Sequence, residues 1–415
     1  MGLAHLIFMF TKITLRNYRT HKLTTIELQP VTLLIGNNNS GKSNLLAGIQ
    51  HFSDLVKRGD PEREEGDRVV SYEDFFPHQY RFAAHDDPMS IEVESNQNQV
   101  HIKYRMELYR EGLNVGCRER ISVDLKAESK KEIFESGYDK NSNVIALQNN
   151  LKNSSIKNQI FTIICQRFFK RFVEVFSYHF QSSFLKEKIT KNKNFLPQEN
   201  LVNSIPKVLG YEGENFQRLI VYIKEKTPNI FSQFIALMRR FERSFIGVRY
   251  DPHYKQLLWE FEANKNNTDD SVFAFVPDVV SDGFMKAAAI GLLVCLPFPP
   301  ALILIEEIEN GINPGNIQEL MRWIWQATSS TQFILTSHSP SVLREFHNHL
   351  NAVYTVRLNK RTYQSDVRNL NDALDVLIGI GTLEGEIIED KETGKRLIEI
   401  PQYKLAELWY SGVIG

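Results

Sequence analysis

The stretch richest in chemistry is Gly36-Asn37-Asn38-Asn39-Ser40-Gly41-Lys42-Ser43, which fits the pattern G-x-x-x-x-G-K-[ST] in full. A loop of this kind turns successive backbone N–H groups toward phosphate oxygens, and the helix after it adds the partial positive charge of its N-terminus. Lys42 would reach the outer phosphates, the Ser43 hydroxyl would ligate Mg²⁺, and Asn44 would begin the helix beside them. The competing reading is a polar turn with a chance Gly-Lys-Ser. The flanks favour the cradle, because Val31 to Ile35 reads as a strand covered on both faces and Asn44 to Val56 as a helix.

A phosphate loop needs an acid on another strand to hold its cation. Leu302-Ile303-Leu304-Ile305-Glu306-Glu307 offers four apolar residues and then two carboxylates. Neighbouring side chains on a strand point in different directions. Glu306 is therefore assigned to the metal and Glu307 to the attacking water. Taken alone, the pair would read as a solvated acidic strand end.

The elements that must position these residues alternate at both ends of the chain. Thr11 to Leu28 suggests two short strands, and Ser90 to Leu108 two more at an antiparallel edge. Residues 57 to 88 are charged and irregular. From about Asp124 to Glu242 the chain turns rich in Lys, Asn and Phe, and IFTIICQRFFKRFVEVFSYHF reads as amphipathic helix. Strands return from Ser244, followed by a helix over Phe284 to Leu296, a strand over Ala301 to Ile305, a helix near Ile317 to Thr328 and a strand over Gln332 to Thr336. Strand–helix alternation around a helical middle implies one α/β domain assembled from both chain ends. The expected divisions are an N-terminal lobe over 9–123, a helical insertion over 124–243 and a C-terminal lobe over 244–415.

Composition bounds the rest. The 415 residues can bury a large core, and the formal net charge of −1 argues against a uniformly basic nucleic-acid binder. Cys117, Cys165 and Cys295 lie far apart, as expected of reduced cysteines in a cytoplasmic protein. Met1 to Phe10 is apolar but lacks the flanks of a signal peptide, and Met9 is a candidate start. Ala287 to Ile305 is long enough to span a bilayer, yet Pro297, Pro299 and Pro300 divide it into a buried helix, a turn and a buried strand, so no membrane partner is expected. Lys186, Lys188, Lys191 and Lys193, with Arg167, Lys170 and Arg171 amid aromatics, could meet a phosphate backbone. Core Phe beside a solvated Lys face is the more frequent outcome.

Two further stretches carry a resemblance. Val280-Ser281-Asp282-Gly283-Phe284-Met285-Lys286 resembles the LSxGxx(R/K/Q) signature of ABC-class ATPases, and Thr336-Ser337-His338-Ser339-Pro340 resembles their switch-histidine motif. Together with TLRNYRTHKLTTIELQPVTLLIGNNNSGKSNLL and ILIEEIENGINP, they make the chain similar to the AAA-annotated ABC-class ATPases of the SMC/RecF/OLD group over about residues 11 to 110 and 245 to 350. The resemblance implies an ABC-type head that binds ATP and Mg²⁺ and pairs head to tail around two nucleotides, as a homodimer or higher oligomer. It places Ser281 and Gly283 on the γ-phosphate held by the partner subunit and His338 at the γ-phosphate or the water. It also puts Arg16 to Arg19 near the nucleotide and the loop Asn310 to Pro314 against the partner head. Asn38 matches the family's usual Asn, while Asn39 stands where glycine is commonest and would adopt the left-handed conformation that Asn tolerates. Ile308 and Asn313 depart from the usual Pro and His, and only Gln79 and His85 offer themselves as a Gln-loop residue.

Only a short segment follows His338, too little for the nuclease domain of OLD proteins, so a nuclease or toxin would be a separate polypeptide. The resemblance thus implies an ATPase coupled to DNA or to such an effector in antiphage defence. The alternatives are an ATP-gated scaffold that sequesters an effector with little turnover, a RecF-type repair ATPase and, least in keeping with the insertion, a transporter subunit.

Overall fold

A computed structural model describes residues 9–84, 87–97, 99–112, 114–126, 129–137, 142–153, 159–187, 209–253, 255–262, 272–297, 299–383, 385–389 and 396–414. His85, Lys188, Lys191, Lys193 and most of the leading Met1-to-Phe10 stretch lie outside the described residues. The expected α/β fold class is the one observed. The chain divides into two compact units: Met1–Phe176 with Ala301–Leu304 and Gln332–Gly415, and Ser177–Pro300 with Ile305–Thr331.

The strands run in chain order as β1 (Lys12–Tyr18), β2 (His21–Glu27), β3 (Val31–Ile35), β4 (Met89–Gln97), β5 (Val100–Glu111), β6 (Asn114–Leu125), β7 (Lys130–Ser136), β8 (Val175–Tyr178), β9 (Phe245–Asp251), β10 (Gln256–Glu262), β11 (Val272–Phe275), β12 (Leu302–Ile305), β13 (Gln332–Ser337), β14 (Val353–Asn359), β15 (Gln364–Asn369), β16 (Glu386–Glu389) and β17 (Arg396–Glu399). In the first unit, β2–β1–β4–β5–β6–β7 form an antiparallel sheet. Its alternation buries Ile13, Leu15, Ile91, Val93, Tyr104 and Ile121 on one face. Leu45, Ile49 and Phe52 of the helix Lys42–Arg58 and Phe161, Phe168 and Phe172 of the helix Gln159–Phe172 belong to the same core. A second sheet runs β15–β14–β3–β13–β12–β8. In it β3 pairs in parallel with both β13 and β14 and is buried along its whole length, as a central strand of a covered parallel sheet must be.

The second unit packs the sheet β11–β10–β9 with helices, among them Phe216–Lys226, Pro228–Phe241, Asp282–Cys295 and Ile317–Ala327. Its core is aromatic. Trp259 meets Phe284 edge-on at 5.6 Å between ring centroids, and Phe241 lies 5.7 Å from Trp323. The helix Asp282–Cys295 is buried almost all round, which accounts for the apolar run; among the described residues no helix is long and apolar enough to cross a membrane.

The sequence divisions do not coincide with these units. Strand β6 runs through the expected boundary at residue 124, and residues up to Phe176 belong to the first unit. The segment read as helical insertion also contains β7 and β8. Helical periodicity in IFTIICQRFFKRF is real and buries Phe161, Ile164, Phe168 and Phe172. The following VFSY is instead a strand, because a short apolar run fits either element until sheet partners decide.

Candidate functional site

In the first unit, the Gly-rich loop leaves β3 where the sequence places it. The backbone there must pass so close to β14 that a Cβ on Gly36 would lie 2.1 Å from the Val356 carbonyl oxygen. Asn39 has φ 61°, the left-handed conformation expected of it, and Gly41 has φ 109°. Lys42 is buried, and its Nζ donates to the carbonyls of Gly36 at 2.8 Å and Asn37 at 3.0 Å. Ser43 is exposed and Asn44 half-buried.

The helix Lys42–Arg58 begins without a side-chain cap and without an acid in its first turn. An N-terminus of this kind turns its partial positive charge toward an anion. The donor set of ammonium, hydroxyl and amide groups fits a polyphosphate, and the exposed Ser43 hydroxyl fits a phosphate-bound cation.

The register pairs Ile35 of β3 with Ser337 of β13, so His338 leaves its strand level with Gly36. The same sheet thus brings His338 beside the loop, half-buried. Ser337 Oγ accepts from the Ser339 amide at 2.9 Å and fixes the turn there. Arg16 behaves differently: its guanidinium donates to Asp87 at 3.0 Å from the middle of β1. Arg19 is the arginine directed at the loop helix, with Nη1 at 3.4 Å from Asn44 Oδ1 and the guanidinium over the Tyr18 ring. Gln79 enters a backbone bridge with Tyr18.

In the second unit, Ser281 caps the helix Asp282–Cys295, its hydroxyl accepting from the Phe284 amide at 3.3 Å. Asp282 is drawn below the usual carboxylate range by its hydrogen bond to Lys186, which accounts for one of the basic residues weighed for nucleic acid. Gly283 packs on the following loop so closely that a Cβ would lie 2.0 Å from the Gly311 carbonyl oxygen. Around them opens a cavity of about 700 Å³ lined by Phe241, Phe261, Phe275, Ser281, Gly283 and Asn313, among others.

The two carboxylates differ in surroundings, but not through strand alternation: β12 ends at Ile305, and both glutamates follow it. Glu306 lies beside Tyr211 Oη, at 3.5 Å, and His179 Nδ1, at 4.0 Å. Its amide donates to the Tyr178 carbonyl at 2.9 Å, and the His179 amide to the Tyr211 carbonyl at 2.9 Å, so backbone pairing holds the three segments side by side. The carboxylate of Glu306, partly accessible beside these two side chains, fits a role at a divalent cation. Glu307 is left-handed, with φ 47°, an uncommon conformation for Glu that surrounding contacts must enforce. Lys286 supplies one: its buried ammonium donates to the Glu307 carbonyl. Burial lowers that ammonium to about 8, against the opposing pull of Glu309 and Glu307.

Sequence reasoning missed His179 and Tyr211, because both lie far from the acidic pair in the chain. Lys286 had a readable signal, as the one charged residue after Asp282 in the helix DGFMKAAAIGLLVC.

Residues 31–344 match the family described as "AAA domain, putative AbiEii toxin, Type IV TA system". The comparison with curated proteins finds no match. Among solved structures, the chain is similar to the Smc head bound to the C-winged helix domain of ScpA, at TM-score 0.48 and 13% identity over 88% of this chain and 99% of that one. The SMC head domain from Thermotoga maritima aligns at TM-score 0.40 and 13% identity, over 87% and 98%. The Smc head domain with an extended coiled coil from Pyrococcus furiosus, bound to the C-terminal domain of ScpA, aligns at 0.43 and 13%, over 90% and 100%. With three quarters of its length inside the family match, the chain belongs to this family of AAA-domain ATPases.

Proposed function

We propose that the protein hydrolyses ATP as a head-to-tail homodimer and couples that cycle to a separately encoded effector, a toxin or nuclease, in antiphage defence. The observation that carries the reading is the phosphate loop itself, with buried Lys42 and an uncapped, acid-free helix N-terminus. The family's printed description, which names a putative toxin of a type IV toxin–antitoxin system, supports a place in such a system.

In this reading the amides of the loop and Lys42 bind the phosphates, and Ser43 with Glu306 holds Mg²⁺. The cation supplies charge neutralisation at the phosphate oxygens. Glu307 accepts a proton from the attacking water, and His338 hydrogen-bonds at the γ-phosphate. Ser281 and Gly283 of one subunit present their helix N-terminus to the nucleotide held by the other.

A mixing experiment tests this. Lys42→Ala and Ser281→Arg proteins should each turn over ATP poorly. Mixed, they should regain activity, because one of the two composite sites is then intact. Glu307→Gln should bind ATP and accumulate as dimer by light scattering. Full turnover by Ser281→Arg alone would refute the shared site, and unchanged hydrolysis in Glu307→Gln would refute the water-activating role.

A further inference from the structure

Two consecutive carbonyls of the phosphate loop, those of Ser40 and Gly41, are held from outside the loop by side chains that the loop motif does not include. His21, at the start of β2, is fully buried; its Nε2 lies 2.9 Å from the Gly41 oxygen and its Nδ1 lies 2.8 Å from Thr24 Oγ1. A carbonyl can only accept, so Nε2 carries the proton and Nδ1 accepts from the threonine hydroxyl. Ser365, the second residue of β15 and likewise buried, has Oγ 2.7 Å from the Ser40 oxygen and 2.8 Å from Thr20 Oγ1. The Ser365 hydroxyl is thus the donor toward both the Ser40 carbonyl and Thr20 Oγ1, and Thr20 Oγ1 also accepts from Asn44 Nδ2 at 3.1 Å. The Ser365 amide also donates to the Thr20 carbonyl at 2.7 Å, which fixes the hairpin tip on the turn between β1 and β2.

The peptide bond is planar and trans, so the C=O of one residue and the N–H of the next point to opposite sides of the same plane. Holding the Ser40 and Gly41 oxygens outward therefore aims the N–H groups of Gly41 and Lys42 inward. Those amides stand at the N-terminus of the loop helix, where an anion would bind. The fit is close: a Cβ on Gly41 would lie 2.0 Å from Ser365 Oγ. Burial also lowers the His21 imidazole to about 4, so it stays neutral and keeps one tautomer at physiological pH.

The geometry points to His21 and Ser365 as positioning residues for the phosphate loop, setting its affinity for nucleoside triphosphate by pre-orienting the Gly41 and Lys42 amides. This rests on the loop being a phosphate site. Both residues lie outside the 31–344 match. Both are buried behind the loop carbonyls, and their effect should appear in binding rather than in the chemical step.

The test is ATP affinity by titration calorimetry for Ser365→Ala, His21→Ala and His21→Gln, alongside kcat and the melting temperature without nucleotide. Each alanine variant should raise the ATP Kd about three- to tenfold, the worth of one net hydrogen bond. Turnover at saturating ATP should hold, and His21→Gln, whose amide can still donate to Gly41, should recover most of the affinity. Unchanged Kd in both alanine variants overturns the inference, as does a His21→Gln protein no better than His21→Ala. A fall in kcat at unchanged Kd overturns it too. Should His21→Ala lose the fold, Ser365→Ala and His21→Gln decide. Failure of the unaltered chain to bind ATP would refute the phosphate-loop reading itself, a distinct result.

Discussion

Lys286→Met should change how stability depends on pH, by an amount the structure allows one to work out. The Lys286 ammonium is 5% exposed and donates to the Glu307 carbonyl, and burial lowers it from 10.5 to about 8. Because the folded-state value lies below the unfolded one, the unfolded chain binds more protons between about pH 8 and pH 10.5. Stability must therefore rise with pH across that window. At about 1.4 kcal/mol per pH unit the rise is about 3 kcal/mol, the cost of keeping the amine charged in the interior at neutral pH. Methionine fills similar volume and carries no charge, so it escapes that cost, but it leaves the Glu307 carbonyl without its donor, a loss of about 1–3 kcal/mol. At pH 7 the two effects should nearly cancel. Between pH 8 and pH 10.5 the unaltered chain should gain about 3 kcal/mol relative to Lys286→Met, read as the difference between urea-unfolding free energies across that range. Turnover should fall in the variant at every pH, since a left-handed Glu307 is no longer held in place. Stability curves that run parallel from pH 7 to pH 10.5 would show that Lys286 is not held charged in the interior and would refute the reasoning.

Two other substitutions probe backbone positions. Gly283→Ala would set a Cβ 2.0 Å from the Gly311 oxygen and 3.1 Å from the Ile312 Cα, both backbone atoms that cannot rotate away. It should cost about 1–3 kcal/mol in thermal unfolding and impair nucleotide-dependent dimerisation, which light scattering with ATP would read. Asn39→Gly should leave stability almost unchanged and Asn39→Val should cost about 1–2 kcal/mol, because a β-branched residue is strained at a φ of 61°; equal melting temperatures for the two would contradict this.

Legibility in the sequence followed the distance over which each feature is determined. The conformation of the Gly-rich loop was readable because turn, glycines and helix start lie within one short stretch, and even the left-handed Asn39 follows from the tolerance of its own side chain. The level of His338 was readable from its place at a strand end, since a parallel sheet ends its strands together, whereas Glu306 and Glu307 lie past the end of β12, where period-two alternation no longer applies. What escaped was set by tertiary pairing. VFSY directly follows a helical apolar pattern, and its place at the end of the sheet beside β12 makes it a strand. His179 and Tyr211 reach Glu306 only through backbone pairing between distant segments, and Ser365 reaches Ser40 across 325 positions. Arg16 and Arg19 show the same limit at close range. Both are arginines of one short motif, yet β1 pairs Arg16 with Ser90 in a strand while Arg19 sits past the strand end at φ 47°. That backbone turn, invisible in composition, directs Arg19 toward Asn44 and leaves Arg16 to Asp87. A motif therefore names the atoms that can meet a phosphate, and the sheet register and strand ends decide which of them do.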